Sequence, residues 1–108
     1  MISREHAKIK NIVEINDEDF LIWVEGIIIT LSKNKLVLDD GTASIEVLAN
    51  EPDMEGLKEK DFVRVLGRVF PTPEGFEIHA DIIKKINFSN LELYKEVIEL
   101  WKNFSENY

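Results

Sequence analysis

The residues best suited to chemistry are cations and aromatics set in β-rich surroundings. Arg64 and Arg68 lie four apart in Val63-Arg64-Val65-Leu66-Gly67-Arg68-Val69. At a two-residue repeat they share the face opposite Val63, Val65 and Val69, placed to touch phosphate or to pair with Glu46 or Glu77. Lys33 and Lys35 flank Asn34 in a short polar turn, a second place for phosphate contact. Trp23 and Phe70 are candidate platforms for a flat ring or members of the barrel interior, burial being the favoured reading for Trp23, and Phe76 is in phase with Ile78 and reads as core. Asp39-Asp40 has the look of a carboxylate pair, but the following Gly41 explains it as hairpin turn chemistry. His79 alternates with Ile78 and Ala80 and reads as an ordinary outward residue. Lys84-Lys85 is too short a run to form a patch.

Other chemistries are argued against. The chain has no cysteine and two histidines, His6 and His79, far apart in sequence. Disulfides and thiolate metal sites are thereby excluded, and a zinc site or a His-dependent triad is not expected. No phosphate-cradling glycine loop, HExxH or GxSxG motif is present, so the expectation is no enzyme, no metal and no small-molecule cofactor. Thirteen Lys and Arg against 21 Asp and Glu give a net charge of −8, a poor balance for binding driven by phosphate neutralisation. No apolar run approaches the roughly 20 residues a membrane helix needs, and the start lacks an apolar leader core. The expectation is a cytoplasmic, nucleoid-associated protein with no membrane partner.

Strand patterns are what must position these residues. With 108 residues and 44% hydrophobic content, one domain with one modest core is expected. Phe20–Leu31 is rich in Ile, Val and aromatics and too long for a flat strand; Gly26 near its middle marks a bend. Leu36–Leu38 and Thr42–Leu48 form a hairpin about Asp39-Asp40-Gly41. Residues 49–61 connect, with one helical turn started by Pro52 and stopped by Gly56. Phe62–Phe70 and Phe76–Ile83 form a second hairpin about Pro71–Gly75, with Phe76, Ile78, Ala80 and Ile82 inward. One long bent strand followed by two hairpins fits an all-β, five-stranded Greek-key barrel of the OB type, with an SH3-like barrel as the alternative. Residues 1–19 are an N-terminal extension of open structure, and 20–86 are the barrel.

Residues 87–108 contain neither Gly nor Pro and read as an amphipathic helix. Ser89-Asn90-Leu91-Glu92 has capping-box form. From there to about Phe104 the helix would run roughly 22 Å. Its apolar stripe spans roughly 180°, nearly twice what one contact face needs. Such a stripe suits contact with another subunit, through Leu93, Tyr94, Val97, Ile98, Leu100, Trp101 and Phe104.

Val24-Glu25-Gly26-Ile27-Ile28, Val37-Leu38-Asp39-Asp40-Gly41-Thr42, Ile45-Glu46-Val47 and Asp61–Val69 together resemble the OB folds of replication protein A. The likeness is strongest to the small single-OB subunits of the archaeal complexes. The resemblance implies a subunit of a heterotrimeric single-stranded DNA-binding complex of replication and repair. Its partners would be larger OB-fold subunits and single-stranded DNA, and its helix would join a trimer core. It also implies stacking aromatics near the end of strand three and in the last hairpin. Here the first place holds Leu48-Ala49-Asn50, and the second offers Phe70 and Phe76. DNA contact through Trp23, Lys33, Lys35, Arg64, Arg68 and Phe70 is therefore expected to be weak, with assembly the main role. A stand-alone homo-oligomeric single-strand binder is the alternative. An accessory OB domain of a tRNA-processing or nuclease system is a third reading.

Overall fold

The computed structural model describes residues 7–86. Its strands are β1 (Lys8–Ile9), β2 (Leu21–Leu31), β3 (Lys35–Asp39), β4 (Ser44–Leu48), β5 (Phe62–Thr72) and β6 (Gly75–Lys85). A 3₁₀ turn covers Ile12–Glu14, and a one-turn helix, α1 (Glu51–Met54), links β4 to β5. The expected turn at Pro52 is α1, and Gly56 follows it at φ +80°. The C-terminal helix lies outside the described residues, as do all seven of its candidate interface positions.

The sheet closes on itself. β2 pairs antiparallel with both β3 and β5, β4 runs parallel to β6, and β6 pairs antiparallel with β5. The circuit β2–β3–β4–β6–β5–β2 is a closed five-stranded barrel of the OB type, not the SH3-like alternative. β1 adds to β2 in parallel, with Ile9 opposite Trp23. Gly26 is where β2 passes from one partner to the next: pairing with β5 runs through Ile27, and pairing with β3 begins there. A Cβ at Gly26 would lie 2.8 Å from the carbonyl carbon of Asp39, so only glycine allows the strands this close.

Alternation fills the interior. Ile22, Val24, Ile28, Leu36, Leu38, Ile45, Val47, Val63, Val65, Val69 and Ile78 form the core cluster. Ile12 and Ile15 from the N-terminal segment and Met54 from α1 join it. The Asp-Asp-Gly-Thr turn holds that segment in place. Asp40 accepts the Ile12 N–H at 2.7 Å and the Thr42 N–H at 2.9 Å. The Thr42 hydroxyl accepts the Val13 N–H at 3.2 Å, and Asp39 accepts the Gly41 N–H at 2.7 Å. β4 starts at Ser44 rather than Thr42 because Asp40 also draws the Ala43 N–H, at 3.3 Å, away from the ladder.

One inward assignment fails. The β5–β6 register shifts between Leu66 and Gly67, which pair with Ile82 and Ala80, so Asp81 is an extra residue in β6. The bulge reverses the alternation beyond it. Ile83, not Ile82, packs on the core cluster, and Ile82 turns outward beside Leu66.

Candidate nucleic-acid interface

Two rows of outward residues cross β3, β4, β6 and β5. Lys35 pairs with Leu48, Leu48 with His79, and His79 with Arg68. In the next row Val37 pairs with Glu46, Glu46 with Glu77, and Glu77 with Phe70. Their strand neighbours Leu36, Val47, Ile78 and Val69 are buried, which turns both rows to the outside. At the β5–β6 end the rows form an aromatic platform. The Phe70 and His79 ring centroids are 4.1 Å apart at 38°. The Arg68 guanidinium carbon lies 5.8 Å from the Phe70 centroid, within cation–π reach. His79 Nε2 is 3.2 Å from a Glu77 carboxylate oxygen. A hollow beside the platform is lined by Asn34, Leu48, Asn50, Arg68 and His79. The Ala49 N–H donates to the Asn34 carbonyl at 3.0 Å, which brings the β2–β3 loop to its rim.

The electrostatics oppose the aromatics. Each of the four candidate phosphate contacts already faces a carboxylate. Lys33 Nζ is 3.2 Å from Glu51, and Lys35 Nζ is 3.5 Å from Glu46. Arg64 is 2.9 Å from Glu25, and Arg68 Nε is 3.5 Å from Asp81. Such part-exposed pairs add only about 0–1 kcal/mol each to stability. Their larger consequence is that the cations present little net positive field. A second hollow, lined by Val37, Ser44, Glu46, Thr72, Glu74 and Glu77, is acidic outright. A flat ring can stack on Phe70 and His79, but a phosphate chain meets Glu77 and Glu46 in Phe70's own row. Single-strand binding needs both a stacking platform and a basic groove; this face has the first.

The candidates therefore fall in two places. Phe70 and Arg68 are neighbours, with Lys35 in Arg68's row and Lys33 in the adjoining loop. Arg64 lies farther along β5, opposite Glu25 of β2 rather than near Glu46 or Glu77. Trp23 is half-buried on the outer face, opposite Leu66, one row from Arg64's pair and one from Arg68's. His79 is the platform member that sequence reasoning passed over. Its signal was the hairpin register. A two-residue turn at Pro73-Glu74 pairs Thr72 with Gly75, Phe70 with Glu77 and Arg68 with His79. The looser Pro71–Gly75 turn hides that pairing.

Residues 22–86, which include the platform and all of the barrel strands but Leu21, match the tRNA anti-codon family, an OB-fold nucleic acid binding domain. The chain belongs to that family. No curated protein matches it in sequence. Among solved structures, the OB domain is similar to telomere capping protein Ten1 from Saccharomyces pombe. That pair is 25% identical with TM-score 0.63, covering 89% of this chain and 98% of Ten1. The second OB-fold domain of replication protein A from Methanococcus maripaludis is 22% identical with TM-score 0.60, over 76% of this chain and 98% of that one. A replication protein A heterotrimer bound to single-stranded DNA gives 20% identity and TM-score 0.56, over 78% and 67%. The last two likenesses are likenesses of fold. Among the described residues, no helix is long and apolar enough to cross a membrane.

Proposed function

We propose that this OB-fold domain is a small assembly subunit of a replication protein A-like single-stranded DNA-binding complex, of the archaeal kind, and touches DNA only weakly by itself. The observation that carries this reading is the pairing of Lys33, Lys35, Arg64 and Arg68 with Glu51, Glu46, Glu25 and Asp81. A module built to hold a single strand alone would leave its cations free for phosphate. Here a strand must displace carboxylates to gain each contact. The aromatic platform remains useful to a strand already held by larger subunits, since stacking contributes about 1–3 kcal/mol per base without any charge.

Support for the assembly half comes from the similar proteins. Ten1 is found in a Stn1–Ten1 complex, and replication protein A in a heterotrimer. In this chain, residues 87–108 are proposed as the oligomerisation helix that follows the N-terminal extension and the barrel. Leu93, Tyr94, Val97, Ile98, Leu100, Trp101 and Phe104 would form the interface. The test is co-purification with the larger OB-fold subunits of the source organism. Tyr94→Asp with Trp101→Asp abolishes it while the barrel stays folded by circular dichroism. Undiminished co-purification of that folded double variant would refute the assembly role.

A further inference from the structure

The buried apolar residues do not all belong to the core. Ile27, Phe62 and Leu66 are 1%, 6% and 0% exposed, yet none is part of the core cluster. Leu66 is outward by strand alternation, between inward Val65 and Gly67. It is the middle of a row that crosses four strands: Ile9 opposite Trp23, Trp23 opposite Leu66, Leu66 opposite Ile82. Ile82 joins the row only because the Asp81 bulge turns it outward. An apolar row on the outside of a barrel is a surface built to be covered. At one end Ile9 stays 59% exposed. Among the described residues, the main packing of helical elements on strands is α1 with β6 and the 3₁₀ turn with β4. Met54 of α1 and Ile12 of the 3₁₀ turn both go to the core, so neither element accounts for this row.

We propose that the outer face of β1, β2, β5 and β6 seats the chain's own residues 87–108, laid as a helix along the row Ile9–Trp23–Leu66–Ile82. The chain leaves the barrel on this face: the Ile86 N–H donates to the Phe62 carbonyl at 3.0 Å. Phe62 lies about 13 Å along β5 from Leu66 at strand rise. The link from Ile86 to the capping Ser89 reaches about 10 Å, which brings the helix start to within one helical turn of the row. Four neighbouring strands span about 14 Å, so the row underlies about nine residues of a helix laid along it. One such contact takes about 100° of apolar arc, and the stripe of residues 91–104 covers roughly 180°. The remaining arc stays available to a partner, so this proposal stands or falls apart from the assembly role.

The test uses the full chain, which has no native cysteine. A nitroxide is attached at Glu99→Cys, in the middle of the polar arc, where it leaves the stripe intact. Amide signals are then compared with the label oxidised and reduced. The expected result is strong broadening at Ile9, Trp23, Leu66 and Ile82, with Val37 and Glu46 left sharp, unchanged on dilution. A mixture of unlabelled isotopic chain with labelled plain chain should show no broadening. Sharp signals along the row would overturn the proposal. Broadening that appears in the mixture, or fades on dilution, would overturn it in favour of a second copy as the occupant.

Discussion

β5 and β6 carry two outer surfaces of opposite character. Toward the hairpin, Arg68, Phe70, Glu77 and His79 make a polar face in which cations meet carboxylates around an aromatic pair. Past the Asp81 bulge, Leu66 and Ile82 make an apolar row with Trp23 and Ile9. The switch happens within a few residues of the same strands: plain alternation turns Leu66 outward on β5, and one inserted residue turns Ile82 outward beside it on β6. The difference teaches that this barrel's outside is divided between a surface that stays wet and one that is dry at its centre. A dry outer surface belongs to a contact, and a wet, self-paired one to weak and adjustable binding.

The largest break in that comparison is Leu66→Asp against Arg68→Ala, two outward positions on one strand. Leu66 is fully buried, so a carboxylate there should cost about 3 kcal/mol or more in a urea melt. Arg68 loses one part-exposed ion pair, and its removal should cost less than about 1 kcal/mol. Equal losses would erase the distinction between the faces.

Next in size is the aromatic platform. In the background Glu46→Gln plus Glu77→Gln, Phe70→Ala should weaken binding of an oligo-dT by about 1–3 kcal/mol, read by fluorescence anisotropy. An unchanged affinity would remove Phe70 from the interface. The background itself sharpens the electrostatic half. Removing the two central carboxylates should raise oligo-dT affinity about tenfold at low salt, and the gain should shrink as screening sets in. A gain that persists in high salt would point to something other than charge. Smallest of all, Glu51→Gln frees Lys33, whose side chain is 83% exposed; stability should shift by less than about 0.5 kcal/mol.

Much of the barrel is legible in the sequence because alternation is local. Val63, Val65 and Val69 face inward and Arg64 and Arg68 outward, as a two-residue repeat demands. The bend at Gly26 is legible too, although the carbonyl of Asp39 that forbids a side chain there is not. The failures share one cause: they depend on pairing rather than on pattern. Ile82 reads as inward until the Asp81 bulge is known. Arg64 sits across from Glu25, 39 positions earlier, because β2 closes the barrel against β5. His79 is unremarkable alone and becomes a platform member only once the hairpin register sets it against Arg68. Ile12 and Ile15 fall in an extension whose structure the sequence leaves open, and they join the core because Asp40 and Thr42 capture the backbone beside them.

The central claim is that a nucleic-acid-binding fold here carries a self-neutralised face. The most direct measurement titrates fluorescently labelled poly-dT with the purified full chain, by anisotropy, at low and moderate salt. The account predicts binding weaker than about micromolar even at low salt, from a protein shown to be folded. Affinity tighter than about micromolar that falls steeply with salt would contradict it, and would make Lys33, Lys35, Arg64 and Arg68 working phosphate contacts despite their carboxylate partners.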